Sequence, residues 1–145
     1  MKSIRAILAT FAAGLLLAGC SLFQGAQTLA GSSPSPAVIA QARNTVLGLD
    51  NLYGIAVNAA DKWAQPKNRC GVSGAPPAPL CSTLPGIIAV NKGAVAIRTA
   101  LNDAEGVVMK ASPQQSDLDL AVSTAQTVWA AYQTILAQFS IKTGG

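Results

Sequence analysis

The sequence predicts an all-α fold, an antiparallel up-down-up bundle of three helices. Three observations support this prediction. From residue 35 onward, apolar residues recur at alternating steps of three and four, the spacing of one face of a helix. Helix-capping signals stand near the start of each periodic segment. The alternation of apolar and polar residues that is typical of strands has no comparable support.

The first helix is predicted over residues 35–65. Ser35 can cap its start, Pro36 suits the first helical position, and Pro66 marks its end. The residues of its apolar stripe are Ile39, Ala42, Val46, Leu49, Tyr53, Ala56, Ala60 and Trp63.

The second helix is predicted over residues 83–110, with Ser82 or Thr83 as its cap. Lys110 suits the negative end of the helix dipole. The stripe repeats the rhythm of the first helix with Ile87, Val90, Ala94, Ile97, Leu101, Ala104 and Val108.

The third helix is predicted over residues 113–140. The segment Ser112–Gln115 has the S-x-x-Q form of a capping box, with proline at the first helical position. Asp117 and Asp119 favour the positive end of the dipole. The stripe consists of Leu118, Ala121, Ala125, Val128, Tyr132, Ile135 and Phe139, and it is widened by Val122, Trp129 and Leu136.

The connections set the direction of the helices. The few residues after Lys110 demand antiparallel neighbours, and the longer connection over residues 66–82 permits them.

Glycines inside helices each cost about 1 kcal/mol relative to alanine. We therefore expect them to allow close approach of neighbouring helices, with a partner packing on the outside as the alternative. These glycines are Gly48, Gly54, Gly93 and Gly106.

Residues 1–19 have the composition of a secretory signal peptide. Lys2 and Arg5 supply a positive start, a short apolar run follows, and small residues precede Cys20. The apolar run is shorter than the about 20 residues that a helix needs to cross a bilayer. We expect no later segment to span a membrane either.

The segment Leu17-Ala18-Gly19-Cys20 resembles the lipobox of bacterial lipoproteins. The resemblance covers only this part of the chain, and it implies cleavage before Cys20 and acylation of that residue. Several acyl chains would give stable membrane anchoring. Because Ser21 stands where an aspartate would retain such a protein at the inner membrane, the resemblance implies the outer membrane, facing the periplasm. Residues 20–34 then form a lipidated cysteine and a flexible tether, and residues 141–145 form a C-terminal tail.

With Cys20 lipidated, Cys70 and Cys81 remain as an even pair. In an oxidising periplasm such a pair predicts a disulfide, here closing the loop over residues 66–82. Free or redox-active thiols are the alternative.

The chain contains no histidine, so we expect no metal site and no cofactor.

Enzymatic and nucleic-acid functions have little support. No histidine is present to activate a serine, and the carboxylate pairs Asp103/Glu105 and Asp117/Asp119 diverge on a helix, so we expect no catalytic residues. Removing residues 1–19 leaves eight basic and six acidic side chains, a net charge of +2. That bias is too small to indicate binding to nucleic acid.

The loop over residues 66–82 is the candidate partner-binding segment. It combines basic residues, a predicted polyproline II stretch and a covalent staple, which together could present a pre-ordered recognition surface. The plainer alternative is that it only bridges two helix ends. The candidate binding residues are Lys67, Arg69, Pro76, Pro77 and Pro79.

The sequence therefore predicts a non-enzymatic, lipid-anchored envelope protein that acts as a structural or protein-interaction module with an envelope protein as partner. A phage or prophage origin is a narrower hypothesis, based on small size and the lack of a familiar mature domain. The alternative is a carrier or sensor that holds a small apolar ligand between the helices, near the aromatic residues Tyr53, Trp63, Trp129 and Tyr132. The sparse surface charge leaves a homo-oligomer open.

Overall fold

The computed structural model describes residues 33–143. Outside the described residues lie the predicted signal peptide, the predicted lipidation site Cys20, the predicted tether up to residue 32 and residues 144–145. The helices are α1 (Pro36–Ala64), α2 (Leu84–Val108) and α3 (Gln115–Gln138). They pack against one another in all three pairings, with the largest contact between α2 and α3. The predicted three-helix bundle is confirmed.

The first two helices begin at the predicted caps. The Ser35 hydroxyl accepts a hydrogen bond from the Val38 amide at 3.4 Å. The Thr83 hydroxyl accepts one from the Gly86 amide at 3.2 Å, so Thr83 rather than Ser82 caps α2. Each side chain satisfies one of the amides that a first helical turn leaves unpaired.

The predicted capping box of the third helix is wrong. Gln114 is the N-cap residue, in an extended conformation and without a side-chain cap, and the helix begins at Gln115 rather than Pro113. The Pro113 ring is buried, and it lines a groove together with Pro34 and Ile39 from the start of α1. Pro113 thus lies against the end of the bundle instead of opening the helix, and the Ser112 hydroxyl falls too far upstream to cap.

The apolar stripes form one core, and the aromatic side chains pack in it. The Trp63 and Phe139 ring centroids lie 5.4 Å apart, and those of Trp129 and Tyr132 lie 6.2 Å apart. The large side chains that are almost completely buried are Tyr132, Ile97, Leu101, Leu118, Leu136 and Val46. The predicted packing role of the aromatic residues is confirmed for these two pairs.

The polar atoms of two aromatic side chains are buried without a partner. Buried tyrosine and tryptophan usually direct the O–H or N–H to a hydrogen-bond partner, but the Tyr132 hydroxyl and the Trp63 indole N–H have none among the described residues. Burial raises the pKa of Tyr132 to about 12, and nearby Tyr53 and Asp61 add to the rise. The core therefore favours the neutral phenol.

The glycines divide into two groups. A Cβ at Gly93 would lie 2.8 Å from Tyr132 Cδ2 and 3.0 Å from Ile135 Cδ1, so close helix approach is confirmed there. At Gly48, Gly54 and Gly106 no atom lies within 4 Å of such a Cβ, and the expectation of close approach is wrong. These three positions face outward, where a side chain would have room.

Helix α2 is more apolar than expected. Contrary to our expectation, it meets the length and composition criteria for crossing a membrane, with a mean hydropathy of 1.2 over its most apolar stretch. Its inner face packs in the bundle core. Its outer face exposes the apolar side chains of Leu84, Ile88 and Val95.

The two ends of the bundle differ in what they carry. Ser33 and Pro34 lie beside the turn between α2 and α3, where they line a groove of about 330 Å³. At the same end, the Arg43 Nε donates a hydrogen bond to the Val108 carbonyl oxygen at 2.8 Å, which stabilises the C-terminus of α2. The loop over residues 66–82 lies at the opposite end, as predicted.

Candidate interaction surfaces

The stapled loop, residues 66–82, is closed by the predicted disulfide. Cys70 and Cys81 are bonded, with their Cα atoms 5.0 Å apart. The Cys70 amide donates to the Ser82 carbonyl oxygen at 3.0 Å, and the Ser82 amide donates to the Asn68 carbonyl oxygen at 2.8 Å. The Asn68 side chain donates in turn to the Lys62 carbonyl oxygen at 2.7 Å. These bonds hold the base of the loop against the end of α1.

The tip of the stapled loop is folded into turns. The Ala75 amide donates to the Val72 carbonyl oxygen at 3.0 Å, and Gly74 has φ 81°, a value that glycine adopts without strain. The Leu80 amide donates to the Pro77 carbonyl oxygen at 2.9 Å. Because polyproline II has no internal hydrogen bonds, the predicted polyproline stretch is wrong from Pro77 onward.

The structure gathers the five predicted partner-binding residues on this loop. Pro76 is half-buried, and the other four, Lys67, Arg69, Pro77 and Pro79, are exposed. Sequence reasoning missed two apolar neighbours, Val72 and Leu80, whose exposed fractions are 45% and 49%. The sequence signal that could have identified Val72 and Leu80 is that each is an isolated apolar residue in a loop rich in glycine and proline.

Charge is distributed unequally between the ends of the bundle. The stapled-loop end carries a net charge of +3, from Lys62, Lys67, Arg69 and Lys142 against Asp61. The opposite end carries −2, from Asp103, Glu105, Asp117 and Asp119 against Arg43 and Lys110. Such a separation orients charged partners before contact.

The second surface is the outer face of α2, which we define as the exposed residues pointing away from α1 and α3. It runs along the whole helix, and it includes Leu84, Ile88, Asn91, Val95, Thr99, Asn102, Gly106 and Met109. Leu84, Val95 and Met109 expose 67%, 66% and 71% of their surface. Aliphatic side chains so exposed along one helix often mark an interaction site.

A groove of about 410 Å³ lies on the surface between α2 and α3, beside this face. Its lining includes Ala100, Val107 and Leu120, with Asp103 and Asp117 at its rim, and it is open to solvent. It lies on the surface and not between the three helices, so it is not the internal slot that the carrier hypothesis requires. That hypothesis stays a prediction.

The described residues contain no group of three or more histidine, cysteine, aspartate or glutamate side chains placed to hold a metal ion. No protein-family model, curated protein or solved structure matches the chain. The function is therefore inferred from the geometry and charge of the two surfaces.

Proposed function

We propose that this protein is a non-enzymatic module of the bacterial envelope, anchored by lipid at Cys20, that binds another envelope protein through the stapled loop. The partner surface that fits this loop is acidic, with an apolar contact at its centre. The lipobox supports the anchor. The shape and charge of the stapled loop support the binding role.

The observation that carries the proposal is the combination of a fixed base, which exposes the basic residues Lys67 and Arg69, with a tip that exposes the apolar residues Val72 and Leu80. Val72 and Leu80 offer a partner an apolar contact in addition to the basic charges. Here the disulfide and the hydrogen bonds at Asn68 and Ser82 order the backbone before binding. Pre-ordering lowers the entropic cost of association.

The position of the stapled loop in the bundle is compatible with a lipid anchor at the N-terminal end of the chain. The chain enters the bundle beside the turn between α2 and α3, and the loop lies at the other end. At 1.5 Å per residue, the 25 residues of α2 are about 37 Å long. A single copy anchored at Cys20 can thus hold its loop well away from the membrane.

The anchor is tested by labelling cells with radioactive palmitate. We expect label on the wild-type protein and none on Cys20→Ser, which should also leave the membrane fraction. A Cys20→Ser protein that matures and fractionates like the wild type contradicts the anchoring.

Loop binding is tested by placing a photo-crosslinking amino acid at Leu80 of the full chain in its native cells. We expect one envelope protein in the adduct, and its loss in the double variant Lys67→Glu/Arg69→Glu. Lys110→Glu is the control, since it makes one such charge reversal at the opposite end, half the charge change of the double variant, and loses only an exposed 4.0 Å contact with Asp117.

Two results contradict loop binding. One is an adduct whose yield is unchanged in Lys67→Glu/Arg69→Glu. The other is capture of the same protein in equal yield from Leu47, which lies on the outer side of α1, away from the loop.

A further inference from the structure

The outer face of α2 is more apolar than the bundle requires. The most apolar stretch of this helix meets the hydropathy of a membrane span, yet only 28% of that stretch is buried. The inner face alone supplies its contribution to the core, through residues such as Ile97 and Leu101. The apolar side chains that remain exposed at Leu84, Ile88 and Val95 are unexplained by packing within the described residues.

Two opposite charges lie along one edge of this face. Lys92 and Asp103 are separated by eleven residues, which is about three helical turns, so they share an edge and lie roughly 16 Å apart. Both are exposed, and neither belongs to an ion pair of the described residues, which join Arg98 to Asp50 and Lys110 to Asp117. Each therefore has its charge available for another molecule.

We propose that a second copy of this chain docks antiparallel on the outer face of α2. A two-fold axis perpendicular to the helix, near its middle, brings Lys92 of one copy opposite Asp103 of the other, and the reverse. The ion pair between Lys92 and Asp103 thus forms twice in the dimer. In a parallel pair the two copies of Lys92 would lie on opposite edges of the interface, and neither would meet Asp103 of the other copy.

The same register matches large residues with small ones. Ile88 and Gly106 lie at nearly equal distances from the middle of the helix, so Ile88 faces Gly106 of the second copy. No atom lies within 4 Å of a Cβ built at Gly106, which leaves room for that side chain. Asn91 falls opposite Asn102, where two side-chain amides can hydrogen-bond.

The charge of the whole bundle favours the same orientation. An antiparallel pair sets the +3 end of each copy beside the −2 end of the other, whereas a parallel pair would set like ends together. Anchoring of both copies at Cys20 is compatible with the antiparallel orientation. Residues 21–34 reach roughly 45 Å when extended, which exceeds the length of α2, so both anchors can reach one membrane.

The test is the association constant of the full chain, measured by sedimentation equilibrium in density-matched detergent. We expect a dimer for the wild type. Lys92→Asp and Asp103→Lys each replace two attractions with two repulsions, so each should weaken association about tenfold. The double variant Lys92→Asp/Asp103→Lys restores opposite charges in the antiparallel dimer and should recover to within about threefold of the wild type.

The matched control is Leu47→Asp, on the outer side of α1, which should leave association unchanged. Unfolding curves of each variant show that folding is retained. A wild-type chain that is monomeric throughout the concentration range overturns the proposal. A double variant that associates no better than the single variants overturns the antiparallel register. Neither result bears on binding through the stapled loop.

Discussion

The inner and outer faces of α2 both carry large aliphatic side chains and a glycine, but in different surroundings. On the inner face, Ile97 and Leu101 are fully buried, and Gly93 allows Tyr132 to approach the helix backbone. On the outer face, Leu84 and Val95 are largely exposed, and Gly106 has open space around it. The outer face also carries the polar residues Asn91, Thr99 and Asn102, whereas the buried residues of the inner face are apolar or glycine. The inner face holds the bundle together, and we infer that the outer face serves association between molecules.

The largest expected difference concerns leucine. Leu101→Ala removes a fully buried side chain and leaves a cavity, so the free energy of unfolding should fall by about 2–5 kcal/mol. Leu84→Ala, at a position 67% exposed, should change it by less than about 0.5 kcal/mol. Urea unfolding under monomeric conditions measures both. Equal losses would show that the two faces contribute alike to folding.

The second difference concerns Tyr132, which packs against the inner face. Its pKa is raised to about 12 by burial, with Tyr53 and Asp61 adding, whereas an unfolded tyrosine titrates near 10. Between these values the folded state holds the proton more tightly, so the free energy of unfolding falls as pH rises. The fall should reach about 2 kcal/mol by pH 12.

Tyr132→Phe supplies the control for that pH dependence. Phenylalanine cannot ionise, so subtracting the variant's profile from the wild-type profile isolates Tyr132 from other groups that titrate at high pH. Parallel profiles from pH 10 to 12 would contradict the account of a buried phenol.

The third difference concerns glycine. Gly93→Ala should lower the free energy of unfolding by about 1–3 kcal/mol, because its Cβ would collide with Tyr132 and Ile135. Gly106→Ala should raise it by up to about 1 kcal/mol through helix propensity. It should also weaken dimerisation, whereas Gly54→Ala on α1 should give the same gain in stability alone. Thermal unfolding and sedimentation together separate these outcomes.

Much of the fold could be predicted because its signals are local. The apolar stripes, the caps at Ser35 and Thr83 and the disulfide all follow from residue type and spacing. The start of α3 could not be predicted, because the capping motif at Ser112 competes with burial of Pro113 at the end of the bundle. The groove that Pro113 lines there joins residues far apart in sequence, and no local pattern reports it.

The candidate surfaces, too, could be predicted only where their signals are local in the sequence. The basic residues and prolines of the stapled loop stand out in the sequence, but the exposure of Leu80 depends on how the loop folds back on itself. Gly93 and Gly106 look alike in sequence, and only the position of α3 separates a close contact from an open surface. Periodicity located the inner stripe of α2 and gave no role to the apolar residues outside it.

The most direct test of the central claim is Val95→Asp, measured for both association and unfolding. Val95 lies near the middle of the outer face, 66% exposed, so a charge there is introduced twice in a dimer but disturbs little in a monomer. We predict that association of the full chain is lost, while the free energy of unfolding of the monomer changes by less than about 0.5 kcal/mol. Unchanged association, or a bundle that unfolds far more easily, would contradict the account.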